Sequence, residues 1–169
     1  DGLDYNALDF GSAESSPDGI VVPFVYNNQL FIGGEFTLEA FNNIGGQDFP
    51  FQRTGLFLSQ GVFSPLSPTQ TKDTVLFVGG GEDESPAIWA LSGNATHKVS
   101  TQAIDDILQR LTADEVADIY GWSYGQSGHY FVGFALPTTC IVFDTTTNRW
   151  HERQSRVTQT SGAIATVPY

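Results

Sequence analysis

Leu30-Phe31-Ile32-Gly33-Gly34 recurs as Leu76-Phe77-Val78-Gly79-Gly80 and, more loosely, as Tyr130-Phe131-Val132-Gly133-Phe134. Each copy is preceded by a polar turn: Asn27-Asn28-Gln29, Thr71-Lys72-Asp73 and Gln126-Ser127-Gly128. Each is also followed by a second run of β-type residues: Leu38-Glu39-Ala40-Phe41, Ala87-Ile88-Trp89-Ala90-Leu91 and Cys140-Ile141-Val142-Phe143. Strand, turn, strand is hairpin grammar, and the paired glycines are expected to supply backbone conformations that a side chain would forbid. The copies start 46 and 54 residues apart, and self-similarity at about 40–50 residues marks propeller blades. A blade of about four strands cannot bury both of its faces alone, so blades stack. The fold class expected is all-β, with about three propeller-like blades in an incomplete propeller.

One stretch departs from the β pattern. Ile104, Ile107, Leu108 and Leu111 recur at helical spacing, and Thr112 with Glu115 has the form of a capping box. The reading is a short helical insertion near 101–119, with helices over 101–111 and 113–119, placed between the second and third blades. A further strand is expected over 163–167, and Ser16-Pro17-Asp18-Gly19 reads as a turn, since Pro, Asp and Gly each favour one.

Residues 1–169 read as a single module with a real core, since 40% of the residues are apolar and 13% aromatic. The chain contains no Met, so it is read as an internal fragment of a longer protein. No apolar run approaches the roughly 18 residues of a membrane helix, and no basic segment leads into an apolar one at the start, so neither a membrane partner nor a signal peptide is expected. The lone Cys140 lies in an apolar run and is expected to pack as a small hydrophobe. A single thiol fits assembly in a reducing cytoplasm.

The formal net charge is −12, and no Lys or Arg precedes Arg53. Nucleic-acid binders need a basic face to release counterions from phosphates, and this chain has none. An acidic wall would instead let DNA pass nearby without specific binding.

The remaining motifs carry little chemistry. Gly79-Gly80-Gly81-Glu82-Asp83-Glu84 lacks the Lys-Ser/Thr ending of a phosphate loop, and its acids do not alternate as in a calcium-binding loop; a solvated hairpin tip is expected. His97, His129 and His151 are not at metal-ligand spacing. No cofactor, metal or catalytic residue is assigned, and the protein is read as no enzyme. Phe49-Pro50-Phe51-Gln52-Arg53 and Trp150-His151-Glu152-Arg153 each join aromatic bulk to an arginine. Such residues either plug blade junctions or anchor interfaces, where Trp, Phe and Arg concentrate. Phe49, Phe51, Arg53, Trp150 and Arg153 are the candidate packing or interface anchors.

The ordered set Ala13-Glu14-Ser15-Ser16-Pro17-Asp18, Leu30-Phe31, Thr37-Leu38-Glu39-Ala40-Phe41-Asn42 and Phe49-Pro50-Phe51-Gln52-Arg53 resembles one phage family. So does the later series Val99-Ser100-Thr101-Gln102-Ala103-Ile104, Gln126-Ser127-Gly128-His129-Tyr130 and Trp150-His151-Glu152-Arg153. The family is the packaged-DNA stabilisation proteins, or tail accessory factors, of short-tailed phages. The likeness covers about residues 10–155, and the loop from Gly79 to Ser85 departs from it. It implies a propeller-like fold in a structural protein at the neck of the virion. There it would attach beneath the portal ring and adaptor as a homo-oligomer, close the channel after DNA packaging and receive the tail needle. Two alternatives differ in their requirements. A carbohydrate- or ligand-binding propeller of a tail fibre would need exposed aromatics on one face. A glycosidase would need two carboxylates about 5–9.5 Å apart.

Overall fold

The computed structural model describes residues 18–45, 49–158 and 164–168. Its strands form three antiparallel sheets, each a meander in chain order. Blade 1 holds β1 (Ile20–Tyr26), β2 (Gln29–Gly34), β3 (Leu38–Asn43) and β4 (Phe51–Leu58). Blade 2 holds β5 (Gly61–Val62), β6 (Thr69–Gln70), β7 (Val75–Gly80), β8 (Ala87–Ser92) and β9 (Ala95–Lys98). The helices α1 (Gln102–Leu108) and α2 (Ala113–Ala117) follow, then blade 3 with β10 (Tyr120–Gln126), β11 (His129–Ala135), β12 (Cys140–Asp144), β13 (Arg149–Thr158) and β14 (Ile164–Pro168). The repeated pentapeptide is the second strand of every blade, and the run after it is the third. Residues 16 and 17 of the expected turn, and residue 163 of the expected last strand, lie outside the described residues.

The turns between first and second strands explain the register. Asn27 and Asn28 both take positive φ (49° and 60°), as do Ser127 and Gly128 (52° and 81°). Two left-handed residues make the hairpin turn whose twist matches that of the strands. Tyr26 therefore pairs with Gln29 and Gln126 with His129.

Alternation along β7 shows why the blades stack. Val75 and Phe77 face blade 1, in a cluster with Tyr26, Phe31, Leu38 and Ala40. Leu76 and Val78 point the other way, toward Val132, Phe134, Ile141 and Phe143 of blade 3. Every residue from Val75 to Gly80 is buried, so the strand is apolar throughout, as strands covered on both faces are. Tyr26 ties the first two blades further: its hydroxyl donates to the Asp73 carbonyl at 2.6 Å and accepts from the Gly93 amide at 3.1 Å.

The glycines of the repeat serve a different end from the one expected. None of Gly33, Gly34, Gly79, Gly80 and Gly133 adopts a left-handed φ; what each supplies is room. A Cβ on Gly79 would overlap the Gly61 carbonyl oxygen, one on Gly61 would enter the Glu35–Phe36 peptide of blade 1, and one on Gly133 would enter the Trp122 ring.

The first strand of blade 2 is split, which the repeat pattern does not show. β5 pairs with the end of β7 and β6 with its beginning, and residues 63–68 bulge out between them. Side chains repair the interruption: the Val78 amide donates to Ser67 Oγ at 3.1 Å, and Ser67 Oγ donates to the Ser64 carbonyl at 2.9 Å. The bulge also reaches blade 3, where the Gly121 amide donates to the Leu66 carbonyl at 2.9 Å and Ser64 Oγ donates to the Ile119 carbonyl.

The helical insertion is present with shorter helices than expected. After Leu108 the amides of Arg110 and Leu111 bond to carbonyls three residues back, the tighter pattern common at helix ends. Thr112 then caps α2 in the expected box with Glu115. Asp105 of α1, buried, takes the Lys98 ammonium at 2.6 Å and the Ser100 hydroxyl at 2.6 Å, which docks the helix on blade 2. Ile104, Leu108, Val116 and Ile119 fill the seam between blades 2 and 3.

Candidate interaction interfaces

Blade 2 packs between the other two, whereas blades 1 and 3 each have one face that no other described blade covers. These two faces carry most of the residues singled out in the sequence, and they lie at opposite ends of the stack.

On blade 1 the outward set follows from register: Val25 pairs with Leu30, Leu30 with Phe41, Phe41 with Arg53, and Glu39 with Phe57. Val25 and Phe57, on the two edge strands, are 63% and 43% exposed, whereas Phe41 and Glu39 on the inner strand β3 are buried. At its centre Arg53 Nε lies 3.5 Å from the carboxylate of Glu39, whose side chain is buried. Phe49 and Phe51 meet edge to face at 5.9 Å beside the β3–β4 connection, which the Ile44 amide closes by donating to the Pro50 carbonyl at 2.8 Å.

On blade 3 the outward residues are aromatic and charged. Trp122 stacks on Tyr124 at 5.5 Å, Tyr124 on Phe131 at 5.1 Å, and Phe131 on His129 at 5.9 Å. Arg153 reaches back across β12, placing its guanidinium 4.9 Å from the Tyr124 ring centre and 5.3 Å from that of Phe131. A cation over an aromatic face is attracted by the ring quadrupole, so Arg153 caps the row. The hydroxyl of Tyr124 is buried and has no hydrogen-bond partner among the described residues.

The end of that row holds a polar knot. Asp144 accepts from the Thr146 amide at 2.9 Å and Thr147 Oγ1 at 2.8 Å, and its Oδ2 lies 2.7 Å from His129 Nδ1. Burial pushes the Asp144 pKa up, but hydrogen bonds from Thr147, His129 and the Thr146 amide, with the charge on His129, outweigh it and hold the value at about 2. A depression of about 370 Å³ lies beside the knot, lined by His129, Phe131, Val142, Asp144, His151, Glu152 and Arg153.

Trp150 occupies a different position from Arg153, although only two residues separate them. Its ring tilts onto Phe143 at 4.9 Å and its indole donates to the Val99 carbonyl at 3.0 Å. It packs against the core between blades 2 and 3, facing the opposite way from the row capped by Arg153. Cys140 pairs with Arg153, on the face that carries the aromatic row, yet it is fully buried, and burial pushes its thiol pKa up.

Sequence reasoning missed Asp18. Its Oδ2 accepts from the amides of Phe36 and Thr37, at 2.9 and 3.0 Å, and from Thr37 Oγ1 at 3.0 Å, so it holds the β2–β3 corner. An Asp acting across 18 residues leaves no local signal. The aromatic row was missed for a similar reason: Tyr124, Phe131 and Arg153 meet only once three strands are in register.

Comparison with known proteins agrees with the stacked meanders. The family described as Bacteriophage P22 Gp10, beta-propeller, matches residues 1–168. Among curated proteins the chain is similar to the tail hub protein gp10 of Salmonella phage P22, at 22% identity over 141 residues. That match takes in 81% of the chain and 30% of the relative, so the chain spans under a third of that relative's length. The chain belongs to the P22 Gp10 β-propeller family of phage stabilisation proteins.

Proposed function

We propose that this protein is a structural component of the phage neck, in which it links head to tail and helps retain packaged DNA by closing the portal channel. The observation that carries the reading is family membership along nearly the whole chain, joined to a relative that is itself a tail hub protein. The geometry supports a role in assembly: stacked blades make a rigid body, and its two outward faces offer the surfaces through which such a body joins others. The apolar face of blade 1 and the aromatic face of blade 3 would be covered by further blades or by neighbouring subunits in a closed ring. Phe51 and Arg53 would be anchors on the first side and Arg153 on the second, with Phe49 supporting Phe51 and Trp150 acting as packing. Portal, adaptor and tail-needle proteins are the partners expected, and DNA would pass an acidic surface of net charge −12 without being held.

Deletion of the gene from its phage tests the role in DNA retention. Heads that fill with DNA and then lose it support the reading; particles that keep their DNA and attach tails normally would refute it.

One observation favours a second reading. A row of rings capped by an arginine is a surface on which sugars stack, as in a tail-fibre carbohydrate reader. Binding to a glycan array that is lost in the Tyr124→Ala variant would support this alternative.

A further inference from the structure

A third surface belongs to neither outward face. A groove of about 580 Å³ opens where the β2–β3 corner, the bulge of the split strand and helix α2 converge. Val62 and Val116, both buried, form its floor. Phe63, Pro65, Pro86 and Leu111 form its apolar walls, and Leu66, 65% exposed, stands beside Pro65. The volume falls within the roughly 300–1,000 Å³ of specific binding pockets.

The rim is acidic. Glu35 lines the groove. Glu82, Asp83 and Glu84 are exposed on the β7–β8 loop that leads into Pro86, and Asp114 of α2 and Asp118 just after it are exposed beside the lining residues Ala113 and Ala117. Arg110, next to Leu111, is the single base in the segments that line the groove. An apolar floor inside a rim of one charge sign is how interfaces combine a buried anchor with steering and selection at the edge.

We propose that this groove docks an extended segment of another virion protein, which inserts a large apolar side chain over Val62 and Val116 and sets Lys or Arg against the acidic rim. Charge selects this occupant. A second copy of the chain would bring a net −12 toward an acidic rim, and nucleic acid would be repelled by the same acids. The class of partner rests on the neck reading; the chemistry of the segment rests on the groove alone.

The test uses the 169-residue chain and an amidated peptide carrying a central Trp-Leu pair flanked by lysines, titrated by calorimetry. One control peptide replaces the lysines by glutamates, and another replaces Trp-Leu by Ala-Ala. The Trp-Leu-Lys peptide is expected to bind at least tenfold more tightly than either control, with affinity falling as salt rises. Ala113→Arg, at an exposed position on the lip, is expected to weaken it at least tenfold. The loop variant Glu82→Lys/Asp83→Lys, remote from the core, is expected to weaken it less and to remove most of the salt dependence. Equal binding of all three peptides, or binding that neither variant changes, would overturn the proposal. So would a change of sedimenting mass in Ala113→Arg, which would give the groove to a second copy. The peptides report nothing on where the protein sits in the particle, so failure here leaves the neck reading intact, and failure of that reading leaves the groove chemistry standing.

Discussion

Gly79 on β7 lies so close to Gly61 on β5 that a Cβ on the former would occupy the carbonyl oxygen of the latter. This contact lies at the point where the first two blades meet, because Gly61 in turn faces the Glu35–Phe36 peptide of blade 1. A methyl group there has backbone on its open side and no flexible side chain to displace. Gly79→Ala is therefore expected to destabilise the protein by about 3 kcal/mol, the upper end of overpacking costs. Gly93→Ala makes the contrast: Gly93 has φ +60° with open space around it, so the cost is the left-handed strain of about 1–2 kcal/mol. Urea unfolding of both variants checks the order, and an equal or smaller loss for Gly79→Ala would contradict the steric reason given for the repeat.

Trp150 is held by a hydrogen bond and by packing, and the two separate by substitution. Trp150→Phe keeps a ring against Phe143 and loses the bond to the Val99 carbonyl, at about 1 kcal/mol. Trp150→Ala loses both and is expected to cost about 3 kcal/mol. If the two variants unfold at the same urea concentration, the ring contributes nothing beyond its hydrogen bond.

Acid sensitivity follows from Asp144. Its folded pKa of about 2 lies below the ordinary 3.8, so the unfolded chain binds the proton more readily than the folded one. The stabilisation is complete above about pH 4 and is lost as pH falls through about 2. Asp144→Asn is expected to be less stable than the parent at pH 7, with the gap narrowing between about pH 4 and pH 2. A gap that stays constant across that range would show that the knot with His129, Thr146 and Thr147 does not lower the carboxyl pKa.

Cys140 reports on opening of blade 3. It is fully buried and its thiol pKa is raised, while the nucleophile in thiol exchange is the thiolate. A thiol reagent at pH 8 is expected to react at the rate of unfolding, accelerating with urea in step with loss of structure. Immediate stoichiometric reaction of the native protein would place the thiol at the surface.

The parts of the fold legible in the sequence are those with local causes. The three copies of the pentapeptide mark β2, β7 and β11 because second strands share the same neighbours in every blade, and Thr112 with Glu115 marks α2 because a capping box spans only four residues. The split strand was hidden. Gly61-Val62 and Thr69-Gln70 are each too short to show a period of two, and the serines that bridge them act through the fold. The repeat glycines were visible, yet their cause was misread, since crowding by Gly61 or Trp122 depends on which strands become neighbours. Arg153 stood out in the sequence as a candidate anchor, whereas the rings it covers, Tyr124 and Phe131, did not. The two arginine segments looked alike in sequence, and the fold separates them by the width of blade 2.

Antibody labelling of intact phage particles, viewed by electron microscopy, tests the neck assignment most directly. Label at the junction of head and tail is the result expected of a structural connector. Label on fibres or baseplate, or particles that stay unlabelled under conditions where a known neck protein is labelled, would contradict it.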